Sequence, residues 1–190
     1  MEQADSSQDQ SGKELIIRKA YQVFREQGYY QTTMADIAQA CRMQKGSLYH
    51  HFTSKEDLMQ QVLLLAHGLF KEEVFAIAYQ TRTPPGQRLG HMLEALDRFY
   101  FDEQGGCLMG LVGLEVATRQ LEFMRTIKQF FTDWIEAFAY LLGAQYSPPE
   151  ARELAQRSVQ EIEGAVMLAC IFLDKGYFTA TRTRLAQLIK

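Results

Sequence analysis

The run Lys45-Gly46-Ser47-Leu48-Tyr49-His50-His51-Phe52 puts a cation, a position without a side chain, a hydroxyl, a phenol and an imidazole within about two helical turns. At 100° per residue, turning Leu48 towards a core leaves Gly46 and His50 nearly opposite it, with Ser47 and Tyr49 alongside. Each outward residue has a use against DNA. Lys45, at the helix start, reaches a phosphate or a guanine edge, and Ser47 can donate to or accept from either groove edges or phosphates. Gly46 offers no side chain where the helix comes nearest the duplex. Tyr49 and His50 can hydrogen-bond phosphate oxygens. Thr33 and Lys55 stand at the starts of the flanking helices, where free backbone N–H groups also favour a phosphate. Arg42 and Gln44, just before the run, are either base readers, Arg for guanine and Gln for adenine, or solvated turn residues.

The charge pattern agrees with that placement. Residues 13–55 carry seven basic and three acidic groups, a net +4, while residues 1–12 carry −3 and residues 56–190 carry −4. Only the segment holding the run is built to meet an anion.

The elements that must position these residues read as helices throughout, with no alternating strand and no internal repeat, so the fold class is all-α. A first helix is expected over about 12–27, with Leu15, Ile16, Ala20, Val23 and Phe24 on one stripe and Gly28 as its stop. A second starts at the N-cap Thr33 and sets Met34, Ile37, Ala38 and Cys41 on one face. A third covers about 44–50. A fourth begins at Ser54, where Ser54-Lys55-Glu56-Asp57 reads as a capping box with Asp in the acidic place. After Pro84-Pro85-Gly86 the composition turns to long apolar stripes, with helices expected over 87–101, 107–119, 121–143, 148–175 and 178–189.

Three short helices with a tight turn between the second and third satisfy a helix-turn-helix, an outline shared by many small bundles. The residues are more specific. Thr33-Met34-Ala35-Asp36-Ile37-Ala38, then Lys45 to Phe52, then Ser54-Lys55-Glu56-Asp57-Leu58 resemble the signature of the tetracycline-repressor (TetR) family over about residues 12–70. The resemblance implies a helix-turn-helix domain at 10–70, its motif at 33–52, and a helical effector-binding and dimerisation domain at 71–190. It also implies a homodimer whose paired third helices enter successive major grooves of a palindromic double-stranded DNA operator. Thr33, Lys45, Ser47, Tyr49, His50 and Lys55 fall at positions the family uses for DNA contact, and Ile37, Ala38, Leu48 and Phe52 at its core positions. The chain departs from the family at the turn, where Arg42-Met43-Gln44 replaces the frequent Gly-Val-Ser. Arg lacks glycine's freedom at positive φ and Gln is a poorer cap than Ser.

The rear half has no short diagnostic motif. As a dimeric repressor released by a small, mostly apolar effector, the chain needs a pocket. The candidates are His91, Glu115 and Arg119 as polar groups, with Tyr100, Met109, Phe123, Phe130, Trp134, Phe138 and Met167 as lining. The competing assignment for the aromatic and Met residues is core. Val159, Ile162, Val166, Ala169, Leu173, Leu185 and Leu188 form the apolar stripes of the last two helices, suited to a four-helix contact between protomers or to packing within one chain. Cys107 is either a pocket-mouth sensor of electrophiles or a passive thiol, and no basic neighbour in sequence activates it.

Other classes find less support. Cys41, Cys107 and Cys170 lack disulfide or metal-ligand spacing, and His50, His51, His67 and His91 form no nucleophile or metal constellation. No cofactor or metal is therefore expected, and the chain reads as no enzyme. A ligand-independent regulator, an activator, or an adaptor or small enzyme reusing the fold remain the alternatives. The segment MEQADSSQDQSG lacks the features of a secretory signal, and no stretch reaches the ~20 apolar residues of a membrane span, so a cytoplasmic protein with no membrane partner is expected.

Overall fold

The computed structural model describes residues 2–101, 106–117 and 121–189, with side chains from Gly12 onward. Nine α-helices and one 3-10 turn account for the regular structure of the described residues, which include no strand.

α1 (Glu2–Gln27) begins ahead of the expected Gly12 and buries Ile16, Ala20, Val23 and Phe24. Leu15, expected on the same stripe, is exposed instead, one helical step away from Ile16. The helix stops at Gly28, whose φ of +79° is open to glycine and whose N–H bonds the Phe24 carbonyl at 2.9 Å. In α2 (Met34–Ala40), Thr33 and Asp36 cap one another reciprocally: Asp36 N–H donates to the Thr33 hydroxyl at 3.2 Å and Thr33 N–H to the Asp36 carboxylate at 2.8 Å. α3 (Lys45–His51) buries Leu48 alone, with Gln44 as its N-cap rather than its first residue.

α4 (Lys55–Glu73) is capped by Ser54, whose hydroxyl accepts the Asp57 N–H at 3.1 Å. The other half of the expected box is not made, because the Asp57 carboxylate takes the N–H and hydroxyl of Thr53 at 3.0 and 3.1 Å. α4 joins the two ends of the molecule. Leu58, Met59, Val62 and Leu63 lie in the core shared with α1, and Phe70 reaches the rear aromatic cluster, its ring edge-on to Phe130 at 4.9 Å.

Behind α4 lies a 3-10 turn, Phe75–Tyr79, that the apolar pattern did not separate from the helices. It is followed by α5 (Pro85–Phe101), α6 (Leu108–Val116), α7 (Leu121–Leu142), α8 (Pro148–Phe172) and α9 (Gly176–Leu185). α8 starts with a Ser147–Glu150 capping box and prolines in its first turn, as the sequence suggests, but ends at Phe172 because Leu173 turns left-handed at φ 52°. Asp97 on α5 holds α9 in place through Lys175 at 2.6 Å and Arg182 at 2.8 Å.

In the rear core, two sets of residues whose placement the sequence left open are buried within the chain. Phe123, Phe130, Trp134 and Phe138 are buried on α7: Phe130 and Trp134 pack against Phe70 and Phe75, Phe138 against Trp134, and Phe123 edge-on to Tyr29, which makes them part of the core. Val159, Ile162, Val166, Ala169 and Leu185 are buried in their own chain, because α8 lies along α7 and beneath α9. Of the residues expected to meet a second copy, Leu173 is exposed and Leu188 half-buried. No helix of the described residues is long and apolar enough to cross a membrane.

Candidate nucleic-acid interface

The turn between α2 and α3 decides which way α3 points. Cys41 stays helical, Arg42 takes φ 55°, and the N–H groups of Arg42 and Met43 bond the carbonyls of Gln39 and Ala38, each at 3.0 Å. The turn therefore closes on backbone hydrogen bonds even though Arg occupies a left-handed position, at a cost of about 1–2 kcal/mol. Gln44 caps α3 with its backbone only, leaving its side-chain amide exposed.

With Leu48 and Phe52 buried, helical geometry puts Lys45, Gly46, Ser47, Tyr49 and His50 on the outside, and all five are exposed. The Lys45 ammonium lies 5.8 Å from the centre of the Tyr49 ring. A Cβ added at Gly46 would meet nothing within 4 Å, so the fold itself does not require glycine there. Arg42 and Gln44 share this exposed side of the motif.

Thr33 and Lys55 are placed differently. The Thr33 hydroxyl and N–H are both engaged by Asp36, whose carboxyl is held below its ordinary range by the hydroxyl and then the N–H of Thr33. The Lys55 ammonium turns inward, donating to the carbonyls of Tyr29 and Thr32 at 3.0 Å each, and sits 4.4 Å from the centre of the Tyr29 ring. Lys55, expected as a phosphate contact, is placed here as a brace of the α1–α2 turn.

The polar pocket candidates are scattered. His91 is exposed on α5, Tyr100 and Met109 are buried, and Arg119 lies outside the described residues. Glu115 is engaged by backbone instead. Its carboxylate accepts the backbone N–H groups of Tyr29 and Tyr30 at 2.9 and 3.0 Å, tying α6 to the end of α1. A cleft of about 520 Å³ opens instead between α6 and α8, walled by Leu111, Leu114, Val166 and Met167, with Cys107 and Glu163 at its floor. Met167 alone of the described pocket candidates lines it, and Tyr100 reaches the floor by its hydroxyl, 3.1 Å from Glu163. Glu163 was missed because an acidic residue in a long helix reads as solvated; its only local signal is the apolar company of Ile162, Ala165 and Val166.

The comparisons agree with this arrangement. Residues 16–62 match the family described as bacterial regulatory proteins, tetR family, and residues 85–183 match the C-terminal domain of LmrA/YxaF-like transcriptional regulators. The chain is 29% identical to the HTH-type transcriptional repressor DhaR of Mycobacterium sp. (strain GP1) over 126 residues, 66% of this chain and 63% of DhaR. It is 25% identical to the HTH-type transcriptional regulator YxaF of Bacillus subtilis (strain 168), over 86% of this chain and 87% of YxaF. In structure it resembles a TetR transcriptional regulator from Legionella pneumophila, with a TM-score of 0.86 at 24% identity over 94% of this chain and 97% of that one. With both ends of the chain matched and an exposed reading helix on the N-terminal end, the protein belongs to the TetR family of DNA-binding transcriptional regulators.

Proposed function

We propose that this regulator, which is not an enzyme, is a homodimeric repressor that binds a palindromic operator and is released by a small, mostly apolar effector. Residues 10–70 serve as the DNA-binding domain and residues 71–190 as the effector-binding and dimerisation domain. The observation that carries the reading is the exposed face of α3, with Lys45, Ser47, Tyr49 and His50 around an unobstructed Gly46. Arg42 and Gln44 extend that face towards the base edges. In a dimer the two α3 helices lie one DNA turn apart, about 34 Å, so a small change in the rear alters the fit of both heads.

Dimerisation is assigned to the outer surface of α8 and α9. There Phe172 and Tyr177 stack with ring centroids 5.4 Å apart on the surface, next to the exposed Leu173. Large apolar side chains left on one face favour a second copy related by a two-fold axis. Repression is supported by the naming of DhaR as a repressor. Operator DNA as the partner places the working protein in the cytoplasm.

Footprinting of the purified protein on fragments of its own genome tests the reading. The expected result is a protected palindrome of two half-sites one turn apart, whose occupancy lowers transcription from the adjoining promoter. Equal binding to all fragments overturns sequence-specific regulation. Increased transcription replaces repression with activation.

A further inference from the structure

We infer that the cleft between α6 and α8 binds a lipophilic cation, with the carboxyl group of Glu163 as the anchor. The cleft is about 520 Å³, within the ~300–1,000 Å³ of small-molecule sites. Its walls are apolar, and four of its large apolar side chains remain on the surface: Leu114 is 83% exposed, Ile171 64%, Met167 52% and Leu111 39%. At its floor lies a single, largely buried carboxyl group.

That carboxyl is held in place but not neutralised by countercharge. Glu163 accepts the Tyr100 hydroxyl at 3.1 Å, and the Cys107 thiol also bonds to it. No ion pair of the described residues involves it, and burial pushes its pKa above the ordinary carboxylate value. Room for it is built into α6. A Cβ at Gly110 would lie 2.9 Å from the second carboxylate oxygen, so the carboxyl in its present position uses the space the glycine leaves. Arg25 stands elsewhere on the lining, its guanidinium bonded to the Tyr21 hydroxyl at 3.3 Å and lying 5.5 Å from that ring's centre.

A part-buried carboxyl with no cation paired to it is unfavourable, and an apolar molecule carrying one protonated amine corrects that while covering the exposed walls. A neutral analogue gains only the apolar contact, and an anion meets the carboxyl unfavourably. Treating this occupant as the effector rests on the ligand-released reading above; the binding itself does not. The route from cleft to head is short, because Leu114 on the wall adjoins Glu115, which holds the backbone of Tyr29 and Tyr30.

Three probes with one body separate these terms: biphenyl-4-ylmethylamine, biphenyl-4-ylmethanol and biphenyl-4-carboxylate, titrated calorimetrically into the full-length, DNA-free protein. The amine is expected to bind about tenfold or more tighter than the alcohol, with the carboxylate weakest. Glu163→Gln is expected to erase the amine's advantage. Leu114→Lys, at an exposed position on the cleft wall, adds a competing positive charge at the mouth and is expected to weaken the amine more than the alcohol. An alcohol or carboxylate that matches the amine, an amine advantage unchanged in both variants, or no binding of any probe, as when a second copy lies across the cleft, overturns the site. Operator titrations separate this from the broader reading. Glu163-dependent amine binding that leaves operator affinity unchanged keeps the site and overturns its role as the effector site. Operator release by another compound, in a protein that ignores the amine, overturns the site and keeps effector-driven release.

Discussion

The Glu115 carboxylate on α6 accepts the backbone N–H of Tyr29 at 2.9 Å, and the same oxygen accepts that of Tyr30 at 3.0 Å. This joins the wall helix of the rear cleft to the turn that leads into the DNA-reading motif. Lys55 and Glu56 hold the turn from the other side, through the Tyr29 carbonyl and the Tyr29 hydroxyl. Gly28 is glycine for two reasons here, its φ of +79° and the approach of Glu115, whose carboxylate a Cβ would strike. Replacing Glu115 by Ala should cost about 1–3 kcal/mol in chemical denaturation, because the buried Tyr29 N–H loses its acceptor. Gly28→Ala should also destabilise, and by less when Glu115 is already Ala. Strictly additive losses in that double-mutant cycle would show that the two residues do not oppose each other.

Arg42 stores strain in the turn that aims α3. Arg42→Gly should stabilise the protein by about 1 kcal/mol, a rise in Tm of roughly 2–4 °C for a chain of this size. Operator affinity should fall at the same time, since a guanidinium leaves the DNA side. A lower Tm would mean that the left-handed turn is not strained.

Lys45 and Lys55 should separate in salt titrations of DNA binding. Lys45→Ala should reduce the slope of log affinity against log salt by about one and leave stability unchanged. Lys55→Met removes two hydrogen bonds to carbonyls and should destabilise the fold by about 1–3 kcal/mol, with less effect on the slope. Equal slope changes would return Lys55 to the phosphate backbone.

Glu163 makes stability depend on pH in a defined direction. Burial raises its pKa in the fold above the roughly 4.3 of an unfolded chain, so its favourable contribution is present below that value and is lost as pH rises through the folded value. Glu163→Gln should therefore melt higher than wild type near neutral pH, with the gap closing below about pH 4. Tyr100 and Cys107, the groups bonded to it, are both pushed up by burial and stay neutral across that window. A constant gap from pH 4 to 8 would contradict burial as the cause.

The surface and core faces of α8 should respond differently to charge. Phe172→Glu should give a folded monomer in sedimentation, whereas Val166→Asp should unfold the chain by placing a carboxylate at a position only 2% exposed. A Phe172→Glu variant that stays dimeric would place the interface elsewhere.

The sequence by itself determined what helical geometry and capping chemistry decide within a few residues. The stop at Gly28, the caps at Thr33, Ser54 and Ser147, and the outward face of α3 all follow from local backbone needs once Leu48 points inward. Even the cost of Arg42 in the turn was legible, because positive φ is a property of one residue. Only the tertiary structure decided which apolar surface meets which neighbour. A helical period marks Val159, Ile162 and Val166 as one stripe but does not say whether α7 or a second copy covers it. The same limit hid the polar contacts between distant residues. Glu115 finds its partner at Tyr29, 86 positions away, and Glu163 finds Tyr100 63 positions away. Such pairs are brought together by the packing of whole helices, and no local spacing encodes them.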